Sequence, residues 1–367
     1  MNRKIRCLFL ETHMKINKDN VSTTSGVDYY RTILPGLHLP KEEFEVEIRQ
    51  DPFTKDQKNW DEITKYWDII LTSYIDTPWG YVSMGFNGEK NNCKIVIDLD
   101  DNVWQLTPDN PVFKNYHKGT EPLANLTSIL HHSQYVTTTN SVLRNKICQF
   151  AERSYDREKT KVICNYVDLN KYDYKKIKKE KKERITILHA GSSTHWKDLT
   201  EGGFVGGLKR ILKEYDNVDF VTIGNWIPEW VTIAGPRYKQ INGKPDVYEY
   251  IDKLWPEMCA LTDIVVVPLA YDEATICKSG IKYLEFSAGK VPGVYSNIRQ
   301  YQELIEPGRG FLTRTEDEWY EALKKLIDSE ELRREVGENA YQYVKDNWTI
   351  QGNIDKMVEW IKSIVDK

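Results

Sequence analysis

The sequence predicts an α/β protein made of two doubly wound domains, each built on a largely parallel sheet. Two observations lead to this expectation. Short β-rich runs alternate with amphipathic stretches in both halves of the chain, which is the pattern of βαβ units. The length of 367 residues also predicts two domains, because one domain typically holds roughly 100–200 residues.

The first domain is predicted over residues 1–168 and contains six candidate strands. These are Ile5–Leu10, Phe44–Ile48, Asp68–Thr72, Lys94–Asp98, Tyr135–Thr138 and Lys161–Cys164. Helical periodicity separates them at Val27–Leu37, Val112–His132 and Ser141–Arg153. Such alternation predicts parallel strands joined by helices on the faces of the sheet.

The second domain is predicted over residues 169–352 and repeats the alternation. Its candidate strands are Ile185–His189, Val218–Ile223, Ile264–Pro268 and Gly293–Ser296. Helical patterns follow at Phe204–Tyr215, Gly280–Ala288, Glu316–Asp328, Glu331–Asp346 and Ile354–Val365. A lysine-rich stretch from Asn170 to Lys182 has few apolar residues and predicts an exposed connection between the domains.

The composition is that of a globular protein and excludes several classes. Hydrophobic residues make up 40% of the chain and the net charge is -4, which excludes a disordered chain and argues against bulk nucleic-acid binding. No apolar run approaches the roughly 18–20 residues that span a membrane, and the N-terminal run predicts a strand and not a signal peptide. Six scattered cysteines without C-x-x-C spacing predict reduced thiols and a cytoplasmic protein.

The lysine-rich connection has two interpretations. It is either a solvated linker, as most charge runs are, or a local contact for the phosphate backbone of a nucleic-acid acceptor.

Two strand-to-helix junctions in the second domain carry polar residues. At the first, Gly191 gives a tight turn, Ser192–Thr194 offer hydroxyls and amides, and Lys197 supplies a cation. A loop of this form can hold an anion at a helix N-terminus. The same sequence is also typical of an ordinary turn.

The second junction follows the buried strand ending at Val267. Ser279 is a candidate N-cap, so the helix is expected to begin near Gly280 with Lys278 beside its positive end. Glu285, about one and a half turns into that helix, could reach a ribose diol. The alternative for Glu285 is a solvent-facing helix charge.

These segments resemble the donor-binding part of glycosyltransferases with the GT-B fold, and within them the family 4 type that retains anomeric configuration. In that family a helix glutamate is followed by A-x-A-x-G-x-P-V-V-A/S, and here Glu285 leads into FSAGKVPGVYS. The stretch from Gly191 to Lys197 falls where the family has G-R-x-x-x-x-K, and CNYVDLNKY is similar to its N-G-V-D-x-x-x-F segment. The resemblance covers nearly the whole chain and is most specific over residues 161–310.

The resemblance implies two Rossmann-like domains facing a central cleft, with the C-terminal helix 353–367 packing back on the first domain. It also implies that Glu285 binds the nucleotide ribose. Besides Glu285, the expected donor-binding residues are Gly191, Ser192, Lys197, Lys278, Ser279, Gly280 and Lys282. Of these, Lys197 and Lys278 are also expected to be catalytic.

This sequence departs from the family pattern at two positions. Ser192 stands where the family has a basic residue, and Cys277 stands where it has the first glutamate of an E-x(7)-E pair. Lys278 and Lys282 could restore the missing positive charge, in a K-S-x-x-K variant that resembles phage and surface-polysaccharide members.

A third junction, KIVIDLDDNVW, brings three aspartates to the end of a first-domain strand. Asp98 and Asp100 either bind or deprotonate an acceptor hydroxyl, or form a D-x-D metal site of the GT-A type. Asp100 is our choice for the functional member, and Asp101 fits a turn-capping role. SGVDYYR occupies the position of the family's small-residue loop, so Ser25, Gly26 and Arg31 are expected to line the acceptor side.

The function expected from this resemblance is transfer of a hexose or pentose from a nucleotide-sugar, with UDP as the expected nucleotide. The acceptor is a hydroxyl on a glycan, a small molecule or a modified DNA base. No metal or other cofactor is expected to be required, although Mg²⁺ or Mn²⁺ remains open, as does the oligomeric state. The alternatives are a non-catalytic sugar- or nucleotide-binding homologue and a metal-dependent GT-A enzyme using Asp98 and Asp100.

Overall fold

The computed structural model contains two parallel six-stranded sheets and a short hairpin. It describes residues 3–12, 15–16, 22–50, 60–73, 78–179, 183–191, 193–224, 226–244 and 246–366.

The first sheet has the strand order β4-β1-β5-β6-β7-β8, and every neighbouring pair is parallel. The strands of this half are β1 (Ile5–Glu11), β2 (Lys15–Ile16), β3 (Ser22–Thr23), β4 (Phe44–Gln50), β5 (Ile69–Ser73), β6 (Lys94–Leu99), β7 (Tyr135–Thr138) and β8 (Thr160–Val162), with β2 and β3 forming the separate hairpin. The strand order reverses between β1 and β5, so a crevice opens at their carboxyl ends.

The second sheet has the order β11-β10-β9-β12-β13-β14, again parallel throughout. Its strands are β9 (Ile185–Ala190), β10 (Val218–Ile223), β11 (Tyr238–Ile241), β12 (Ile264–Val267), β13 (Gly293–Ser296) and β14 (Phe311–Thr313). Central strand β12 is a fully buried run of β-branched residues, as expected when helices cover both faces. The order reverses between β9 and β12, whose following loops are the two polar junctions seen in the sequence.

Helices cover both sheets. In the first half they are Gly26–Asp28, which continues through the π-helical turn Tyr29–Ile33 into Leu34–His38, and Trp60–Tyr66, Pro78–Lys90, Glu121–His132 and Ser141–Phe150. In the second half they are Trp196–Thr200, Gly203–Glu214, Pro228–Ala234, Val247–Glu249 continuing through Tyr250–Leu254 into Trp255–Leu261, Ile281–Ala288, Arg299–Gln302, Glu316–Asp328, Glu330–Asn347 and Asp355–Val365. Short 3₁₀ turns lie at Val103–Gln105, Tyr174–Lys176, Ser193–His195, Gly235–Arg237 and Thr275–Cys277. Within these described ranges, no helix combines the length and apolar character needed to cross a membrane.

All ten predicted strands are present, with ends shifted by at most two residues. The helix predicted from Val112 is shorter than expected and runs only over Glu121–His132. Gly119 just before it has φ +98°, a left-handed conformation that interrupts a helix. Pro122 in the first turn then favours a new start.

The helix Asp355–Val365 lies against the first domain, although the second domain precedes it in the chain. Trp360 donates its indole N–H to the Glu158 carbonyl at 3.0 Å and meets the Tyr135 ring edge to face. Ile361 and Ile364 are fully buried in the same apolar cluster. The chain therefore crosses between the domains twice.

A turn of the second domain also docks on the first; we call residues 273–279 the docking turn. Cys277 is fully buried in an apolar cluster otherwise made of first-domain residues, with Ile276 packed against the same cluster. Asn102 and Asn140 of the first domain donate to the carbonyls of Glu273 and Cys277, at 2.8 and 2.7 Å. Burial raises the pKa of the Cys277 thiol to about 11, so it is neutral and cannot take over the charge of a glutamate.

Candidate active site

A cleft of about 440 Å³ lies between the domains, where the carboxyl ends of the two sheets face each other. The structure brings most of the residues singled out in the sequence to its walls. From the first domain these are Gly26, Arg31 and Asp100, and from the second Lys278, Ser279, Lys282 and Glu285. A smaller side cavity of about 30 Å³ adjoins it and is lined by Lys197, Lys278 and Asp101, among others.

Glu285 is buried, with 2% of its surface exposed, so the alternative of a solvent-facing charge is wrong. Tyr30 and Tyr172 donate to Oε1 at 2.7 and 3.2 Å, while Tyr250 and Lys282 donate to Oε2 at 3.1 and 2.8 Å. Burial and then the Glu285 charge raise the pKa of each tyrosine well above its ordinary value, so the three hydroxyls stay protonated. The carboxylate is therefore fully hydrogen-bonded, and one of its partners, Tyr30, comes from the opposite domain.

The helix that carries Glu285 begins differently from the sequence prediction. Gly280, and not Ser279, is the N-cap residue, and no side chain caps the helix. Ser279 instead accepts from Asn165 of the first domain at 3.1 Å. Among the described residues, no side chain therefore satisfies the amides at the positive end of this helix dipole.

The two lysines expected to hold the diphosphate are each paired with a carboxylate of the first domain. Lys278 lies 2.9 Å from both oxygens of Asp101, and Lys197 lies 3.9 Å from Asp109. Burial acts to lower the pKa of Lys278, but the charge and hydrogen bond of Asp101, together with the charges of Asp100 and Asp198, outweigh it and raise the pKa above its ordinary value. Lys278 is thus a cation held by a partner that a diphosphate could replace.

Asp98, expected on the acceptor side, does not line the cleft. It lies behind Arg31, which donates to both of its carboxylate oxygens at 2.9 and 2.7 Å, and Thr137 donates a third hydrogen bond. Strand β6 ends at Leu99, so the strand does not extend to Asp100, and only Asp100 of the two reaches the cleft wall. In the described part of the chain, no group of three or more His, Cys, Asp or Glu side chains could hold a metal ion.

The residues predicted in the small-residue loop of the first domain have different roles in the structure. Ser25 caps the following helix, accepting from the Asp28 amide at 3.0 Å, so its hydroxyl is used locally. Gly26 lines the cleft, and a Cβ there would meet nothing within 4 Å. Arg31 also donates to the Ile163 carbonyl at 2.6 Å, which fixes it as part of the cleft floor.

The loop after β9 places Gly191 between two histidine rings. A Cβ on Gly191 would lie 2.8 Å from His189 Nε2 and 3.0 Å from His195 Cδ2, so a larger residue would displace a ring. Ser192, predicted to bind donor, lies outside the described residues. His195 was missed in the sequence; its Nδ1 lies 2.7 Å from Asp198 Oδ2, and the spacing of three residues was the available signal.

Comparison with known proteins identifies the second domain and its fold. Residues 170–343 match the family described as glycosyl transferases group 1. None of the curated proteins compared with the chain matches it.

Solved structures of the same shape extend over both domains. The HepE protein of Anabaena, in complex with UDP and glucose, has a TM-score of 0.68 at 14% identity, covering 98% of this chain and 100% of that one. A glycosyltransferase from Rickettsia africae has a TM-score of 0.69 at 13% identity, with full coverage of both chains. Sucrose-phosphate synthase from Thermosynechococcus elongatus has a TM-score of 0.62 at 13% identity, covering 99% and 100%. The two-sheet architecture is thus the GT-B fold, which removes the GT-A alternative.

Proposed function

We propose that the chain is a glycosyltransferase, because residues 170–343 match the glycosyl transferases group 1 family and the whole chain has the GT-B fold. In this proposal the cleft between its domains transfers a sugar from a UDP-sugar. The observation that carries the proposal is where the family match lies in the structure. The matched residues 170–343 include Lys278 and Glu285 in the cleft and Lys197 in the adjoining side cavity. The UDP in the proposal is supported by the Anabaena neighbour, which was solved with UDP and with UDP-glucose.

In this proposal the second domain binds the donor. Glu285 accepts hydrogen bonds from the ribose hydroxyls, exchanging them for that of Tyr30. Lys197, Lys278 and the first amides of the helix beginning at Ile281 hold the diphosphate. Their positive charge stabilises the negative charge that develops on the leaving group, which is where electrostatic stabilisation lowers the barrier most.

We propose that transfer occurs with retention and without a required metal ion. The acceptor hydroxyl oxygen forms a bond to the anomeric carbon as the bond from that carbon to the diphosphate breaks, and the hydroxyl proton passes to the diphosphate. Asp100, Gly26 and Arg31 line the first-domain wall of the cleft and are the proposed contacts of the acceptor. The acceptor is a hydroxyl on a glycan, a small molecule or a modified DNA base. The unpaired state of all six cysteines supports a cytoplasmic location.

The proposal is tested by donor binding followed by turnover. Thermal unfolding is measured with UDP-, GDP-, ADP- and TDP-sugars, and a ligand at 100 times its Kd is expected to stabilise the fold by about 2.7 kcal/mol. Release of the nucleoside diphosphate is then measured with and without EDTA. We expect UDP release that EDTA leaves unchanged. Failure of every nucleotide-sugar to bind would overturn the proposal.

The lysine roles need a matched comparison. Lys278→Ala and Lys197→Ala are expected to lower kcat more than they raise KM, because leaving-group charge grows in the transition state. Lys324→Ala is the control, because Lys324 is likewise paired with a carboxylate but lies away from the cleft. Its partner is Glu214 of the same domain. A rise in KM alone, in both cleft variants, would show uniform donor binding and remove the leaving-group role.

A further inference from the structure

His195 stands at the junction of the cleft and the side cavity and lines both of them. Its Nδ1 lies 2.7 Å from Asp198 Oδ2. A carboxylate can only accept, so Nδ1 carries the proton and donates. Nε2, on the other side of the ring, has no hydrogen-bond partner among the described residues. The ring is therefore held by one nitrogen while the other remains available to a ligand.

Asp198 is built to fix this ring. Only 4% of its surface is exposed, and its second oxygen accepts from the Ala270 amide at 2.6 Å. Ala270 belongs to the loop after β12, whereas Asp198 and His195 follow β9, so one carboxylate ties together the two loops that flank the donor subsite.

The charges that face His195 come from several elements. The helix Trp196–Thr200 that follows it contributes Asp198 and Lys197, and the docking turn contributes Lys278. The first domain contributes Asp101 and Asp109, and the loop after β12 contributes Asp272. His189, on β9, is a second imidazole with ring centroid 6.1 Å away. Burial and then the neighbouring His195 lower the pKa of His189 to about 3, so His189 stays neutral.

We propose that His195, oriented by Asp198, donates from Nε2 to the diphosphate of the donor, in place of the basic residue that this sequence lacks at Ser192. This rests on the proposed function and deepens it, because it makes one of the cations of the diphosphate subsite titratable. His195 is the contact and Asp198 is a positioning residue. A neutral imidazole that donates from Nδ1 cannot also donate from Nε2, so affinity for the diphosphate is expected to fall as the pH rises.

The test is calorimetric binding of UDP, and of GDP, ADP and TDP, to the whole protein between about pH 5.5 and 8.5, a range that brackets the ordinary histidine pKa of about 6.5. Each titration is run in two buffers of different ionisation enthalpy, which gives the protons taken up on binding. The wild type is expected to lose affinity as the pH rises and to take up protons. His195→Gln is expected to bind roughly 10- to 100-fold more weakly at low pH, as for loss of a hydrogen bond to a charged group, and to lose its share of proton uptake.

Three further variants distinguish a direct contact of His195 with the diphosphate from a purely structural role. His195→Arg restores a permanent cation and is expected to recover affinity while removing the pH dependence. Asp198→Asn keeps an acceptor for the Ala270 amide and is expected to shift the pH profile to lower pH. His38→Gln is the matched control, because His38 also lies near an aspartate, 3.7 Å from Asp168, but outside the cleft; it is expected to behave as wild type.

The outcomes distinguish the two proposals. If a nucleoside diphosphate binds and His195→Gln keeps the wild-type affinity, pH profile and proton uptake, the role of His195 is wrong and the proposed function stands. If none of the four binds the wild type, both fail. The ionisation of the free nucleotide is common to all variants and cancels in the comparison.

Discussion

The two walls of the cleft differ in how their charged groups are satisfied. In the first domain, Arg31 on the cleft wall and Asp98 behind it form a buried pair, and their other hydrogen bonds among the described residues stay within that domain. On the second-domain wall, Lys278, Lys197 and Glu285 each have a partner from across the cleft. The Arg31–Asp98 pair is thus complete within its own domain, whereas each of the three second-domain groups has at least one partner in the first domain.

This difference indicates which wall changes when a ligand binds. In the proposed complex, the diphosphate oxygens take the place of the carboxylates that Asp101 and Asp109 present to the two lysines, and the ribose takes the place of the Tyr30 hydroxyl at Glu285. We therefore expect first-domain side chains to compete with the donor for the same partners. The Arg31–Asp98 pair offers no such exchange and serves as the fixed floor.

The largest effect is expected from breaking the Arg31–Asp98 pair. Asp98→Ala leaves the Arg31 guanidinium buried without its counter-charge, which is expected to cost about 3–5 kcal/mol of stability, measured as the free energy of unfolding in urea. The double variant Asp98→Leu, Arg31→Met is expected to cost much less than the sum of the single changes. A loss below about 1 kcal/mol for Asp98→Ala would mean that water reaches the guanidinium.

The next effect concerns the carboxylate at the centre of the other wall. Glu285→Gln keeps the shape but removes the charge, and donor binding is expected to weaken by about 1.5–3 kcal/mol in calorimetry. Tyr30→Phe removes only the competitor from the first domain and is expected to strengthen donor binding. Unchanged donor affinity in Glu285→Gln would remove Glu285 from the ribose site.

Competition at the diphosphate subsite predicts a gain of affinity. Asp101→Asn frees Lys278 and is expected to tighten donor binding by up to about 1 kcal/mol, a limit set by the partial exposure of the pair. The gain should vanish in the Lys278→Ala background. Weaker donor binding in Asp101→Asn would instead indicate that Asp101 itself contacts the donor or a metal ion.

The smallest effect is expected at the more distant pair. Asp109→Asn should tighten donor binding by only a few tenths of a kcal/mol, because Lys197 and Asp109 are 3.9 Å apart and both partly exposed. The same titration calorimetry measures it, with the Lys197→Ala background as control. A gain larger than that of Asp101→Asn would reverse the order of the two lysines as diphosphate ligands.

Much of this molecule could be predicted from local sequence pattern. The ten strands follow from apolar runs and their spacing, and the polar residues after β9 and β12 identify the two loops that reach the cleft and its side cavity. Edge strands β11 and β14 were missed because their half-buried residues give a weak pattern. The Ser279 cap was wrong because a first-domain amide takes that hydroxyl, a contact that no local pattern encodes.

Local sequence pattern could not predict which residues pair across the cleft either, because the two members of each pair are far apart in the chain. Tyr30 and Glu285 are 255 positions apart in the chain, and Asp101 and Lys278 are 177 apart. Sequence reasoning could identify each charged side chain but not its partner. It therefore gave Glu285 two opposite environments, ribose site or open solvent, and only the packed structure decided that the side chain is buried.

The helix Asp355–Val365 has a consequence for synthesis on the ribosome. Domains usually fold as units while the chain emerges, beginning with the one made first. Here the first domain emerges early, yet the part of its apolar surface that receives Trp360, Ile361 and Ile364 stays uncovered until the whole second domain has been made. We therefore expect the nascent first domain to expose apolar surface that promotes aggregation, and we expect a fragment of residues 1–168 produced alone to be rescued by co-expression of the missing helix.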